Sequence, residues 1–263
     1  MYEKQCGINS VSITAETTHS ILYFVLVTVL VLCPIFIQPT LAQEVFVQNG
    51  FEKESLGKPP ENWEVRGERM EVTDDVVKTD KRSLGILGGA DDDTVGVAIE
   101  TDNPIITVEF WVYIKSGGRS FNLKVITADN IAQNNGGAYI NWNANAVRLF
   151  DGGAWQPIED FDTDTWKYVR IVSDVGKSRF DFYTGDDRNE ALKDRGKKGL
   201  PFRNAAIGPV AKWVAFHVYS IAAPGYVDDL LIYEGDEPLN LAVDPVGKLT
   251  TVWGHIKGHS ALR

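Results

Sequence analysis

Residues 106–114, "ITVEFWVYI", decide the fold class, because bulky side chains occupy both faces of an extended chain. Side chains alternate across a β-strand, so Val108 and Phe110 point to one face while Glu109 and Trp111 point to the other. Both faces carry bulk. The stretch therefore predicts a central strand whose second face is partly covered and bears aromatic residues.

Similar short stretches recur on both sides of this one, separated by glycine-rich turns such as "QNNGGA" at residues 133–138. β-Branched residues are abundant in them, and only residues 189–196 have the character of a helical turn. Many short strands with glycine-rich turns are typical of an all-β sandwich of two antiparallel sheets. The other predicted strands are residues 45–48, 70–77, 95–100, 121–126, 138–142, 146–150, 166–173, 179–184, 213–220 and 226–234.

A hydrophobic leader precedes the strands. Residues 21–37 are an almost unbroken apolar run, and Thr40 and Ala42 occupy the −3 and −1 positions of a cleavage site. The pattern predicts a signal peptide and a protein that is secreted or at the cell surface, in a periplasmic or extracellular setting. An uncleaved membrane anchor is the alternative, although Pro34 and Pro39 interrupt a run that is short of the roughly 20 residues a span needs.

Cysteine usage and charge narrow the function classes. Cys6 and Cys33 both precede the predicted cleavage site, so the mature chain has no disulfide and must find its stability in a large core or a bound metal. The formal net charge of −10 argues against nucleic acid and anionic lipid as partners. It suits calcium and neutral or cationic polymers.

The composition divides the chain into three parts. Residues 1–42 are the N-terminal extension and signal peptide, and residues 43–235 form one β-sandwich domain. Residues 236–263 are looser in composition and contain Pro238 and Pro245, which is typical of a C-terminal extension.

Three segments carry a resemblance to a known family: residues 49–65, "NGFEKESLGKPPENWEV", residues 78–87, "KTDKRSLGIL", and residues 225–235, "GYVDDLLIYEG". They resemble the opening, an early strand and the last strand of concanavalin A-like and galactose-binding-like jelly-roll modules. Residues 163–172, "TDTWKYVRIV", are similar in general form to laminin G-like modules. The resemblance implies a jelly-roll fold of the calcium-bearing carbohydrate-binding-module type.

The same resemblance implies a structural calcium ion held by Glu52 and Asp228, with backbone oxygens near Lys81 and Asn49 as weaker candidates. Ca²⁺ takes about 6 to 8 oxygen ligands, so it can draw together carboxylates from distant chain positions. The alternative is that Glu52 caps a turn and that Asp228 or Asp229 is a solvated residue on an edge strand.

Residues 134–155, "NNGGAYINWNANAVRLFDGGAW", combine aromatic and amide side chains in one hairpin-like region. Aromatic rings stack on sugar rings and amides bond the hydroxyls, so the pattern favours a poly- or oligosaccharide partner. The alternative for each tryptophan is an ordinary core position. The predicted ligand-binding residues are Tyr139, Asn141, Trp142, Arg148, Trp155, His217 and Tyr219.

No catalytic constellation is evident in the sequence, which lacks a glycosidase-type carboxylate pair and a zinc-type histidine pair on a folded element. The favoured interpretation is a secreted, non-catalytic, calcium-stabilised module that binds glycan or another extracellular polymer. One alternative is a polysaccharide lyase or glycoside hydrolase that uses His217 and Tyr219 on the concave sheet face. A second is a structural adhesion domain at the cell surface, and the sequence leaves all three open.

Overall fold

Two antiparallel sheets packed face to face form the fold, as the alternating pattern predicts. The computed structural model describes residues 43–87, 93–117, 121–131, 136–143, 145–193, 196–218 and 224–239. The predicted signal peptide and most of the predicted C-terminal extension lie outside these residues.

Fifteen strands, numbered in chain order, make up the two sheets in the described residues. They are β1 (Val45–Asn49), β2 (Glu64–Arg66), β3 (Met70–Thr73), β4 (Ser83–Ile86), β5 (Asp93–Ala98), β6 (Ile105–Ile114), β7 (Phe121–Ile126), β8 (Tyr139–Asn143), β9 (Ala146–Phe150), β10 (Trp155–Asp160), β11 (Trp166–Asp174), β12 (Arg179–Gly185), β13 (Lys197–Pro201), β14 (Trp213–Val218) and β15 (Gly225–Glu234).

The first sheet has the order β13-β12-β11-β6-β15-β4-β3, and β1 also pairs with β15. The second sheet has the order β10-β9-β8-β7-β14-β5-β2. Strand β6 lies between β11 and β15, so the prediction of a central strand is confirmed. Its Val108 and Phe110 are fully buried in the core between the sheets, whereas Glu109 and Trp111 lie on the outer face.

Apart from β4, which was expected only from the resemblance of residues 78–87, three strands were not predicted: β2, β10 and β13. They are short or exposed, and polar residues interrupt the apolar alternation in each of them. Strands β10 and β13 are the edges of their sheets, so pairing on one side holds them in place. Backbone pairing to a neighbouring strand leaves no periodic signature in the sequence.

The chain makes one short helix between β12 and β13, α1 (Arg188–Ala191), where the sequence suggested a helical turn. Asp187 caps it by accepting a hydrogen bond of 2.8 Å from the backbone N–H of Glu190. In the described part of the chain, no helix has the length and apolar character needed to cross a membrane.

Candidate functional site

The predicted calcium site lies where strand β15 changes its partner. Residues 225–227 pair with β4, whereas residues 230–233 pair with β1. Between these two stretches the register of β15 against β6 shifts, and Asp229 takes a left-handed conformation with φ of 48°. This bulge leaves Asp228 and Asp229 at the gap between β1 and β4.

Residues 78–82, which we call the clasp segment, run through this gap just before β4. The backbone N–H groups of residues 78 and 79 each donate to Oδ2 of Asp228 at 3.0 Å. The N–H groups of residues 81 and 82 donate to Oε1 of Glu52 at 2.8 and 2.7 Å. The two predicted metal ligands, from opposite ends of the domain, therefore bind the two halves of one segment.

Side chains reinforce the clasp segment. The hydroxyl of Thr79 donates to Oδ2 of Asp229 at 3.0 Å. The Arg82 guanidinium donates to the carbonyl of Glu52 at 3.0 Å and also to the carbonyl of Glu54. Glu52 thus caps a turn, but Asp228 is fully buried, so the alternative of a solvated residue on an edge strand is wrong for it.

The carboxylates here carry more negative charge than their surroundings neutralise. Burial raises the pKa of Asp228 to about 7, and the neighbouring Asp229 adds to the shift. Burial also raises the pKa of Asp229, and repulsion from Asp80 and Glu52 acts in the same direction. Backbone amides oppose the shift of Asp228, and the Thr79 hydroxyl and the charge of Lys78 oppose that of Asp229, without cancelling either. A cation at this place would favour the ionised form of both carboxyl groups.

The donor atoms near the clasp segment suit a hard cation only in part. Carboxylate and carbonyl oxygens are the ligands of Ca²⁺. Within the described residues, Oε1 of Glu52 and Oδ2 of Asp228 each accept two hydrogen bonds, whereas Oδ1 of Asp228 accepts one and Oε2 of Glu52 none, so the last two oxygens retain lone pairs for a cation. Within the ranges that the structure describes, however, no three histidine, cysteine, aspartate or glutamate side chains form a group that could hold a metal ion. A calcium ion would therefore need backbone oxygens beside Glu52 and Asp228.

A row of polar side chains crosses the outer face of the second sheet. Thr94, His217, Asn122, Asn141 and Arg148 are direct cross-strand neighbours on five consecutive strands. Asn141 donates to Oδ1 of Asn122 at 2.8 Å, and Nδ2 of Asn122 lies 3.2 Å from Nδ1 of His217. Only Arg148 in this row is half-exposed, so the row mainly supports the sheet from within.

His217 and Asn141 are therefore not placed to contact a surface ligand, since they are 1% and 2% exposed. Burial, with the charge of Lys124 adding to it, lowers the pKa of His217 to about 3, so the imidazole is neutral at physiological pH. The prediction that these two side chains face the ligand is wrong because both are buried. Tyr219 lies outside the described residues.

An aromatic patch lies at the other side of the same face. It consists of Tyr139, Phe150, Trp155 and Arg203. The Trp155 ring lies 5.6 Å from Tyr139 and 5.2 Å from Phe150, between ring centroids. The Arg203 guanidinium lies 4.9 Å from the centroids of both Tyr139 and Phe150. Trp155 is 41% exposed, which makes its ring the accessible part of the patch.

The turn between β9 and β10 holds Trp155 in position. Trp155 is the register partner of Phe150, so the two rings share one face of the hairpin. Oδ1 of Asp151 accepts hydrogen bonds from the N–H groups of residues 153 and 154 at 2.9 and 2.8 Å. These bonds lower the pKa of Asp151, and Gly152 supplies the φ of 88° that the turn requires. The patch therefore rests on a well-defined hairpin.

Trp142 does not belong to this patch, contrary to the sequence prediction. Strand β8 turns Tyr139 and Asn141 outward, so the alternation of the strand turns Trp142 inward. It is fully buried, with its ring 6.2 Å from Phe110 and 5.7 Å from Phe121. Trp142 is a core residue that joins the two sheets.

Two members of the patch were missed from the sequence. Phe150 lies two residues after Arg148 on β9, so alternation along that strand carried a signal for it. Arg203 lies in the connection between β13 and β14, where no pattern pointed to the patch. Its backbone N–H donates to the carbonyl of Gly137 at 3.2 Å, which brings the connection against β8.

A buried ionic network lies on the outer face of the first sheet, around Glu109. Its carboxylate accepts hydrogen bonds from the hydroxyls of Tyr168 (2.6 Å) and Tyr233 (2.7 Å) and from Nε of Arg188 (2.8 Å). Nε of Arg170 lies 3.3 Å from its other side. Burial raises the pKa of Glu109, but the hydrogen bonds from Arg188 and the tyrosines outweigh it and hold the pKa below its usual value. Glu109 is fully buried, so the network is structural.

The comparisons with known proteins found matches among solved structures only. No protein-family model matches the chain, and no curated protein matches it. A sialidase structure matches 72% of this chain at 10% identity with a TM-score of 0.54, and this chain spans 18% of that one. A carbohydrate esterase of the Shiga toxin-encoding bacteriophage phi24B matches 74% of this chain and all of its own, with 10% identity and a TM-score of 0.51. Arcelin-5, a lectin-like defence protein of Phaseolus vulgaris, matches 75% of this chain and all of its own, with 9% identity and a TM-score of 0.46.

Together with the strand order, the sialidase and esterase structures identify the fold as a concanavalin A-like jelly-roll β-sandwich. The predicted fold class is confirmed. At 10% identity these likenesses show the fold alone, and the chemistry of the site rests on the residues of this chain. The finer similarity to laminin G-like modules stays a prediction.

Proposed function

We propose that this chain is a secreted, non-catalytic module that binds poly- or oligosaccharide at the aromatic patch. The observation that carries the proposal is the exposed ring of Trp155, backed by Tyr139 and Phe150 and flanked by Arg203. An aromatic ring with one open face binds the apolar side of a sugar ring, and flanking polar groups bind its hydroxyls. Solved structures of the same fold are named as a sialidase and a carbohydrate esterase, so the fold occurs in proteins that act on carbohydrates.

The lyase alternative depends on His217 as the base, and its environment weighs against that role. A general base must lie within hydrogen-bond reach of the substrate proton and must be able to accept it. His217 is buried and its pKa is lowered to about 3, so it is a poor proton acceptor on a covered part of the sheet. Binding without turnover is the function that we favour.

We further propose that calcium stabilises the domain at the clasp segment. Glu52 and Asp228 would hold the ion together with backbone oxygens, and the ion would offset the burial and the repulsion that raise the pKa values of Asp228 and Asp229. The raised pKa values are thus the electrostatic observation that supports the proposed calcium ion. A bound ion would tie the first and last strands of a domain that has no disulfide.

Trp155→Ala is expected to lower glycan affinity at least tenfold while changing the free energy of unfolding by about 1 kcal/mol or less. The ring is the accessible platform, and its exposure limits its contribution to folding. Affinity gel electrophoresis of the mature chain against neutral and acidic polysaccharides identifies the ligand, and calorimetry with an oligosaccharide measures the loss.

Trp166→Ala is the matched control. Trp166 is half-buried on the other sheet, with its ring 5.5 Å from Tyr113, so its removal leaves the patch intact. We expect this variant to bind as the wild type does. If no polysaccharide binds the wild type, or if both tryptophan variants bind equally well, the proposed function is wrong.

A further inference from the structure

Two arginines at the aromatic patch, Arg148 and Arg203, have no carboxylate partner within the described residues. Arg82 and Arg179 also lack one, but they donate to backbone carbonyls instead. Arg66 pairs with Glu64, and both Arg170 and Arg188 reach Glu109. Neither Arg148 nor Arg203 forms an ion pair with any residue in the described ranges. The chain has 36 acidic against 26 basic residues, so acidic partners are plentiful on its surface. What sets Arg148 and Arg203 apart is their position on the sheet face that carries the exposed ring of Trp155.

The placement of Arg203 leaves its donors available. Its guanidinium lies over the rings of Tyr139 and Phe150 at 4.9 Å from each centroid, so its flat face is used for cation–π contact. A guanidinium stacked in this way keeps its N–H groups in the plane of the fork, where they match the two oxygens of a carboxylate. The stack also restricts the side chain, which lowers the entropic cost of binding an anion.

Besides Arg203, two other cationic side chains, Arg148 and Lys124, lie on the same sheet face. Arg148 is two residues before Phe150 on β9, and alternation places both on the outer side of the hairpin. Nζ of Lys124 lies 5.7 Å from the centroid of Tyr139, so Lys124 and Arg203 share one ring. Arg148, Lys124 and Arg203 thus bring three positive charges to this part of the face, with Asp151 as an acid in the adjoining turn, although the chain as a whole has a net charge of −10. Such a local field attracts an anionic ligand.

From this arrangement we infer that the glycan bound at the patch carries carboxylate groups, as uronic acids and other acidic sugars do. This inference rests on the proposed glycan-binding function and specifies its ligand class. The sugar ring lies on Trp155, and its carboxylate accepts hydrogen bonds from Arg203, with Arg148 as the second cation. A neutral sugar would leave both guanidinium groups without a counter-charge.

The test compares each carboxylated polysaccharide with its own methyl ester, which keeps the sugar rings and removes the charge. Polygalacturonate, alginate and hyaluronan serve as probes at physiological ionic strength, beside dextran sulfate as a sulfated polymer. We expect at least one carboxylated probe to bind the wild type ten or more times more tightly than its ester and than dextran sulfate. Arg203→Gln is expected to lower that affinity about tenfold, and Arg203→Lys to lower it by less.

Arg66→Gln is the matched control, because Arg66 lies on β2 at the opposite edge of the same sheet. It removes one positive charge without touching the patch, so binding should be unchanged. Equal binding of acid and ester, binding of neutral or sulfated polymers alone, or an equal loss in Arg66→Gln would overturn the carboxylate inference while leaving glycan binding in place. Absence of binding to any polysaccharide would overturn both. Thermal unfolding of each variant excludes misfolding as the cause of a loss.

Discussion

Glu109→Gln is expected to lower the free energy of unfolding by about 3–5 kcal/mol, because it leaves buried arginines without their counter-ion. The Arg170 and Arg188 side chains are 6% and 25% exposed, and Glu109 is fully buried between them. Glutamine keeps the shape of the side chain but removes its charge and replaces one acceptor oxygen by an N–H donor. Urea unfolding at neutral pH, followed by tryptophan fluorescence, measures the loss.

Glu64→Gln is the control for this experiment. Glu64 and Arg66 also form an ion pair, at 3.5 Å, but their side chains are 39% and 42% exposed. Exposed pairs contribute about 1 kcal/mol or less, so this variant should unfold close to the wild type. Equal stability losses in the two variants would show that burial of the Glu109 network has no special weight.

The Glu109 network also predicts the sign of a pH effect. The pKa of Glu109 is lower in the folded chain than its usual value, so its contribution to stability is present above the unfolded pKa. That contribution is lost as the pH falls through the folded pKa. Below about pH 4, the wild type should therefore lose stability more steeply than Glu109→Gln does.

Much of the fold is predictable because strand periodicity is a local signal. The bounds of β7 and β9 match the predicted stretches, and β6 matches to within one residue. In all three strands, one face supplies buried apolar side chains, which the alternation reveals directly. The exposed edge strand β10 has no such face. Its existence depends on pairing with β9, which no local pattern encodes.

Site residues that lie in one local segment were predictable from the sequence, whereas residues that only the tertiary structure brings together were not. Glu52 and Asp228 were implied by the resemblance of local segments to jelly-roll modules, and both carboxylates bind the clasp segment. Trp142 and Trp155 could not be separated from the sequence, because the register of β8 decides which ring faces the core. Arg203 belongs to a distant connection, so only the tertiary structure brings it to the patch.

Calcium is expected to stabilise the domain strongly at pH 8 and weakly at pH 5, because protons and Ca²⁺ compete for Asp228. The folded pKa of Asp228 is about 7, against an ordinary value of 3.8. Between these values the folded chain holds a proton that the unfolded chain releases, so the contribution of Asp228 to stability falls as the pH rises. A calcium ion replaces that proton. At 100 times its Kd it would add about 2.7 kcal/mol at the higher pH.

Asp228→Asn isolates this effect from an opposing one. The buried His217, with its pKa lowered to about 3, costs stability as the pH falls below its ordinary value of 6.5. The two effects overlap in the wild-type curve, whereas the difference between wild type and Asp228→Asn removes the contribution of His217 and reports Asp228 with its coupling to Asp229. As the pH falls from 7 to 4, the free energy of unfolding of the wild type should rise relative to that of Asp228→Asn by up to about 1.4 kcal/mol per pH unit.

Thermal unfolding with calcium and with chelator, at both pH values, completes the test. Glu52→Gln and Asp228→Asn should each lose the calcium response, because each removes one proposed ligand charge. Asp129→Asn should keep it, since Asp129 is an exposed acid that follows β7 of the second sheet and pairs with Lys212. Identical melting with calcium and chelator at pH 8 would mean that backbone amides alone hold Glu52 and Asp228. In that case the raised pKa of Asp228 would be a permanent electrostatic cost of joining the first and last strands.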